Sequence, residues 1–153
     1  MKYFIILFIL FYVCFKNAQA DEVKCLALNI YHEARNQPLV GKLAVAQVTI
    51  NRVNDNRFPD SVCAVVMQGF YYNKSPIKNK CQFSWWCDGK SDKPKDKASW
   101  QKIQILANRI YTGFFDGIDI VKGATHYHAN YVKPYWAKDK QKLIKIKNHI
   151  FYK

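Results

Sequence analysis

The chain has 153 residues, a formal net charge of +13 and a pI of about 9.6; half of it is hydrophobic and 16% is aromatic. That much apolar material excludes a disordered chain, and the length suits one compact basic domain with its own core. No internal repeat, low-complexity tract or Gly/Ser linker divides it.

Residues 1–20 read as an export signal. Lys2 gives a charged start, "YFIILFILFYVCF" an apolar run too short for a comfortable membrane span, and "AQA" a small-x-small cleavage site, which places the cut after Ala20. Processing at Cys14 as a lipoprotein is an alternative, but "FYV" lacks the small residue such processing prefers; an uncleaved anchor is another. Of the 24 basic side chains Lys2 and Lys16 leave with the signal, so residues 21–153 keep 22 against 11 acidic ones, together with four of the five cysteines. An even cysteine count in an exported chain points to disulfides. Three pairings are open; the favoured one joins Cys81 to Cys87, closing "CQFSWWC" as a small loop, and Cys25 to Cys63, stapling two predicted helices. Zinc is the other use of cysteine, but a C-x5-C pair has the wrong spacing for a usual zinc knuckle, and neither metal nor cofactor is expected.

In chain order, Asp21 caps a first helix whose Val23, Leu26, Ala27, Ile30, Tyr31 and Ala34 share one apolar face, and which ends near Asn36 and Pro38. A second, Leu39 to Val53, is apolar nearly all round and should run through the core. A short third, Ser61 to Gln68, is capped by Asp60 and stopped by Gly69. Phe70 to Lys95, rich in Tyr, Trp, Lys and Asn, reads as a long loop, and a loop of that length in a compact domain is functional or tied by a disulfide. A fourth helix starts near Asp96, carries Trp100, Ile103, Ala107 and Ile110, and ends at Gly113. After Gly123 the pattern alternates, with "ATHYHA" and "KLIKIK" as short strands. The fold class is α+β, helix-rich with a small late β-sheet.

Glu33, one of two glutamates in the chain, stands out against this frame. It lies roughly 90° from the centre of the first helix's apolar stripe, at the rim of the core. The last helical turn and partial burial both disfavour its charge and raise its pKa, as a general acid at neutral pH requires. The ordinary alternative is an ion pair with Arg35, Arg52 or a lysine.

The segments "CLALNIYHEARNQP", "GKLAVAQVTINRV", "FPDSVCAVV", "CQFSWWCDG", "GATHYHANYVKPYWA" and "HIFY" occur in the order and approximate spacing of the cell wall hydrolase family typified by the spore cortex-lytic enzyme SleB. The chain resembles that family over nearly all of residues 21–153. The resemblance implies a catalytic domain with a lysozyme-like fold, of the goose-type lysozyme and lytic transglycosylase kind. It also implies cleavage of the bond between N-acetylmuramic acid and N-acetylglucosamine in peptidoglycan glycan strands. The family's catalytic acid, in the "A-x-N-I-Y-x-E-A-R" helix, falls on Glu33. Two departures stand out: Lys147 occupies a place where a glycine is expected before the histidine, and no separate peptidoglycan-binding domain is recognised in this sequence.

Two-carboxylate glycosidases need a second Asp or Glu about 5 to 10 Å from the acid. Glu22 is about three helical turns away, and the aspartates sit mostly at caps, turns and Lys-rich loops. A one-carboxylate route fits better, with Glu33 as acid and then base and a 1,6-anhydro ring as product. Hydrolysis with Asp55, Asp60 or Asp88 placing a water is the alternative. In "CQFSWWC", Gln82 and Ser84 alternate with Phe83 and Trp85, so one face can hydrogen-bond N-acetyl groups while Trp85 or Trp86 stacks on a sugar; packing around a disulfide is the ordinary reading of either Trp. In "THYHA", alternation puts His126 and His128 on one face and Tyr127 on the other, and the resemblance has this segment lining the glycan groove. A metalloprotease is disfavoured because Asn36 stands where H-E-x-x-H needs its second histidine. The expected protein is an exported monomer in the periplasm, cell wall or medium, with no stable membrane span after cleavage. Its basic charge suits anionic wall polymers. A nucleic-acid binder is disfavoured by export, and a non-catalytic wall-binding module is the remaining alternative.

Overall fold

The structure, a computed structural model, describes the backbone of residues 2–153 and the side chains of residues 18–153. The expected signal, residues 1–20, therefore lies outside the described side chains apart from Ala18, Gln19 and Ala20, and Cys14 lies outside them altogether. Among the described residues no helix is long and apolar enough to cross a membrane.

Four α-helices form the body: α1 (Lys2–Ala34), α2 (Leu39–Val53), α3 (Val62–Val66) and α4 (Lys97–Tyr111). Asp21 does not cap α1 as expected, because Ala, Gln, Asp and Glu around it offer no helix breaker and the helix runs through. Its neighbour Glu22 works at a different helix: Oε2 accepts from the backbone N–H groups of Val62 (2.6 Å) and Cys63 (3.3 Å), the first free donors of α3. The side-chain cap of α3 is Ser61 rather than Asp60, its Oγ accepting from Ala64 N at 3.3 Å. Asp96 caps α4 as expected, with Oδ1 accepting from Ser99 N at 3.0 Å.

Helix α2 is apolar all round because it serves two cores. Leu43 and Ala46 pack with Leu26 and Ile30 of α1, Val62, Val65 and Val66 of α3, and Ile103 and Ala107 of α4. Ala44 and Val48 face the other way, onto Val121, Ala124 and Phe151 beneath the sheet. That three-stranded antiparallel sheet comes late in the chain, from β3 (His126–Ala129), β4 (Lys142–Ile146) and β5 (His149–Tyr152), in the order β3-β5-β4. The turn between β4 and β5 is Lys147-Asn148, with Lys147 in the left-handed region at φ 52°. This accounts for the expected glycine: a lysine makes the same turn at a cost of about 1 kcal/mol in backbone strain.

The stretch 70–95 is not the single loop expected. It holds an antiparallel hairpin, β1 (Gly69–Tyr72) and β2 (Ser75–Cys81), then a 3₁₀ turn at Ser84–Cys87. The hairpin turn, Asn73-Lys74, uses two positive φ angles of 46° and 65° without a glycine. Disulfides join Cys25 to Cys63, across α1 and α3, and Cys81 to Cys87, across the hairpin base and the 3₁₀ turn.

Candidate active site

Helix α1 buries Leu26, Ile30 and Ala34, so the phase of the helix carries Glu33 to the core's rim, where it is partly buried. The phase is fixed one turn earlier by Asn29, a fully buried amide. Its Nδ2 donates to Thr49 Oγ1 of α2 (3.0 Å) and its Oδ1 accepts from Trp85 Nε1 (3.1 Å), so three elements meet on one side chain. Tyr31 fixes the other side, its hydroxyl oxygen accepting from Lys95 N (3.1 Å) and Asp96 N (3.0 Å) at the start of α4.

The partner of Glu33 comes from the sheet. Tyr127 O–H donates to Glu33 Oε2 at 3.1 Å across 94 residues of sequence. Burial raises the Glu33 pKa above its usual 4.5; the Tyr127 hydrogen bond and the charge of Arg52 oppose it without cancelling it. The surface ion pair is not what forms. Among the described residues no cation lies within salt-bridge distance of Glu33; Arg35 sits over the Tyr31 ring (5.3 Å). Arg52 is buried between Phe58 and Phe83, its guanidinium 5.2 and 5.1 Å from their ring centres, and its Nε donates to Thr125 O at 2.7 Å. Its Nη1 is buried with no partner among the described residues. Positive charge acting on Glu33 is therefore supplied by Arg52, a buried cation held between two aromatic rings rather than in a salt bridge.

Of the three aspartates proposed for placing a water, Asp60 is exposed and the other two lie against neighbouring cations. Asp55 accepts two bonds from Arg57 Nε (2.9 and 3.2 Å), and that partner holds its carboxyl down to about 2. Asp88 lies 3.8 Å from Lys90. Glu22 is committed to α3. The groups that act on Glu33 are Tyr127 and Arg52, with no second carboxylate among them.

Strand β3 keeps the expected alternation. Tyr127 faces the helices with Phe151 and His149, at ring distances of 5.7 and 5.2 Å, while His126 and His128 face Trp136 at 5.6 and 5.7 Å. His128 is fully used: Nδ1 donates to Ala129 O and Nε2 accepts from Tyr152 O–H, each at 2.8 Å. His126 meets Thr125 Oγ1 at 2.9 Å, and burial next to Arg52 pushes its pKa down to about 4, so it is neutral at physiological pH. Gln82 and Ser84 are exposed while Phe83 and Trp85 are buried, again the expected alternation. Of the two readings open for this Trp pair, Trp85 takes the packing one: the indole is 7% exposed, bonded to Asn29 and stacked on His32 at 4.4 Å and 14°. The partly buried Trp86 is the neighbour nearer to solvent.

Asn29 and the Tyr127 bond to Glu33 have no counterpart among the sequence expectations, whereas Arg52, open there as an ion-pair partner of Glu33, acts on it by charge without a salt bridge. Tyr127 had a signal, since a residue opposite two histidines on a strand must face the helix layer. Arg52 also stood out as a cation in the last turn of a largely apolar helix.

One shielded carboxyl group at the end of a helical core, held from a small antiparallel sheet, belongs to the lysozyme-like class of α+β domains. The chain belongs to the cell wall hydrolase family, whose model matches residues 36–152; Glu33 lies just ahead of that span. It is similar to the spore cortex-lytic enzyme of Halalkalibacterium halodurans, 29% identical over 132 residues, covering 86% of this chain and 34% of that protein. A 48-residue stretch is 40% identical to the Bacillus subtilis enzyme of the same name, covering 31% of this chain and 16% of that one. The chain thus spans about a third or less of the length of the curated relatives it matches. Among solved structures it resembles the catalytic domain of the germination-specific lytic transglycosylase SleB from Bacillus anthracis, with TM-score 0.61 and 26% identity over 86% of this chain and 93% of that one. The catalytic domain of Bacillus cereus SleB, at 24% identity and TM-score 0.58 over 86% and 89% of the two chains, shares the fold.

Proposed function

We propose that this protein cleaves the bond between N-acetylmuramic acid and N-acetylglucosamine in peptidoglycan as a lytic transglycosylase, with Glu33 as its one acid and base. The observation that carries the reading is the setting of Glu33: partly buried, raised in pKa, bonded to Tyr127, with no second carboxylate acting on it. Protonated Glu33 gives its proton to the glycosidic oxygen as the bond from C1 of the muramic sugar to that oxygen breaks. The carboxylate then takes the proton of the same sugar's O6 hydroxyl while O6 bonds to C1, closing the 1,6-anhydro ring. The proton count balances, and no water is consumed. In this reading Tyr127 and Arg52 stabilise the carboxylate between the two steps, and Gln82 and Ser84, both exposed, hydrogen-bond N-acetyl groups.

Residues 21–153 form the catalytic unit in this reading, with residues 1–20 as an export signal delivering it as a monomer to the periplasm, wall or medium. The two disulfides and the basic charge support a wall-facing location. Mass spectrometry of digested peptidoglycan tests the mechanism. Anhydromuropeptides, lost in Glu33→Gln with a fall of roughly a hundredfold or more, are expected. Reducing-end muramic acid would replace the mechanism with hydrolysis, and full activity of the Gln variant would remove Glu33 from it.

A further inference from the structure

The hairpin of β1 and β2 carries exposed aromatic surface that the chemistry at Glu33 does not use. Phe70 is 70% exposed, Tyr72 is 72% exposed and Ile77 is 42% exposed, although most large apolar side chains of this size are buried in a folded chain. Lys74, Lys78 and Lys80, all exposed, lie between and beside them.

The hairpin is joined to the site by direct contacts. His32, the neighbour of Glu33, stacks on Trp85; Trp85 meets the edge of Trp86 at 6.0 Å; and Trp86 Nε1 donates to Tyr71 Oη at 2.9 Å. Tyr71 O–H in turn donates to Met67 O at 2.6 Å, which anchors β1 to the end of α3. The Cys81–Cys87 disulfide ties the hairpin base to the same 3₁₀ turn, and Lys78 passes over Gly89 just beyond it. Tyr71 is thus spent on the anchor, and strand alternation turns Tyr72 to the opposite face.

We propose that this hairpin is a glycan-holding arm: Phe70 and Tyr72 stack on sugar rings of the same peptidoglycan strand, away from the bond being cleaved, while the lysines meet carboxylates of its peptide stems. Sugar rings present apolar C–H faces that suit exposed aromatic rings, and peptide stems end in carboxylates that suit the lysines. Phe70 and Tyr72 lie two residues apart on β1, a rise of about 7 Å, which suits neighbouring rings of one strand. The inference rests on the peptidoglycan reading above, and its readout is kept separate from catalysis.

The test is co-sedimentation with purified, insoluble peptidoglycan, using the Glu33→Gln protein so that no strand is cut. Adding Phe70→Ala and Tyr72→Ala should weaken binding about tenfold, equivalent to about 1.4 kcal/mol. Phe114→Ala, an exposed aromatic after α4, should leave it unchanged. In the otherwise wild-type protein the hairpin variant should lose rate on long strands through KM, with turnover of short soluble fragments retained. Equal binding by both hairpin forms would overturn the proposal, as would an equal loss with Phe114→Ala or a matching loss on short fragments. A hairpin-dependent attachment to anionic phospholipid vesicles with no effect on peptidoglycan would assign the surface to lipid instead. A hairpin-dependent dimer in sedimentation velocity, again with wall binding intact, would assign it to a second copy. If the wild-type protein binds through the hairpin but cleaves nothing, the arm stands and the catalytic reading falls.

Discussion

Tyr127→Phe removes one oxygen and leaves the ring packed on Phe151 and His149. The missing O–H is the donor to Glu33 Oε2, and a hydrogen bond to a charged group contributes about 1.5–3 kcal/mol. At about 1.36 kcal/mol per tenfold, the step that needs the carboxylate should slow about ten- to a hundredfold. The same bond opposes the effect of burial on the Glu33 pKa, so its loss should send that pKa further up. The sign follows directly. An acid that keeps its proton to higher pH extends the active range upward, so the alkaline limb of kcat/KM should move to higher pH while plateau kcat falls. Release of soluble muropeptides from purified peptidoglycan, followed across a pH series, measures both. An unmoved limb, or one displaced to lower pH, would refute the coupling between Tyr127 and Glu33.

Stability should show the cost of the buried acid. Burial raises the Glu33 pKa, so its contribution to folding is fully present below the unfolded value near 4.5 and is lost as pH rises through the folded one. Glu33→Gln should therefore resist urea better than wild type at pH 7 but gain nothing at pH 3, and an equal gain at both would contradict the burial argument. For the disulfides, loop lengths set by separations of 38 and 6 residues give about 4 and 2 kcal/mol in the chain-entropy treatment. Cys25→Ala with Cys63→Ala should accordingly lower the urea midpoint more than Cys81→Ala with Cys87→Ala; the reverse order would show that strain or residual unfolded structure dominates.

Helices α2 and α4 were legible because local chemistry and long-range packing agree there, down to Asp96 as the cap of α4. The hairpin was not, since its strands are exposed on both faces and so lack alternation, and its turn lacks the glycine that would have flagged it. Glu33 could be placed at the rim from helical phase alone. What surrounds it could not, because the Tyr127 bond spans 94 residues and the Arg52 bond to Thr125 spans 73. Alternation through Gln82, Phe83, Ser84 and Trp85 sorted inner from outer residues, and Trp85 falls on its buried side.

The two strands of the hairpin form no part of the larger sheet and leave backbone donors and acceptors free along their outer edges. Such edges, with Phe70, Tyr71 and Tyr72 in sequence, are templates for chain-to-chain strand addition and for aggregation during folding. The same hairpin carries the countermeasures. Asn79 breaks the regularity of β2 with a φ of 60°, and Lys78 and Lys80 on either side of it place like charges on any copy that tries to pair. A lysine-poor version of this hairpin would hold the same aromatic residues in a form prone to precipitate, so here the lysines of β2 keep an aromatic surface on β1 compatible with colloidal solubility.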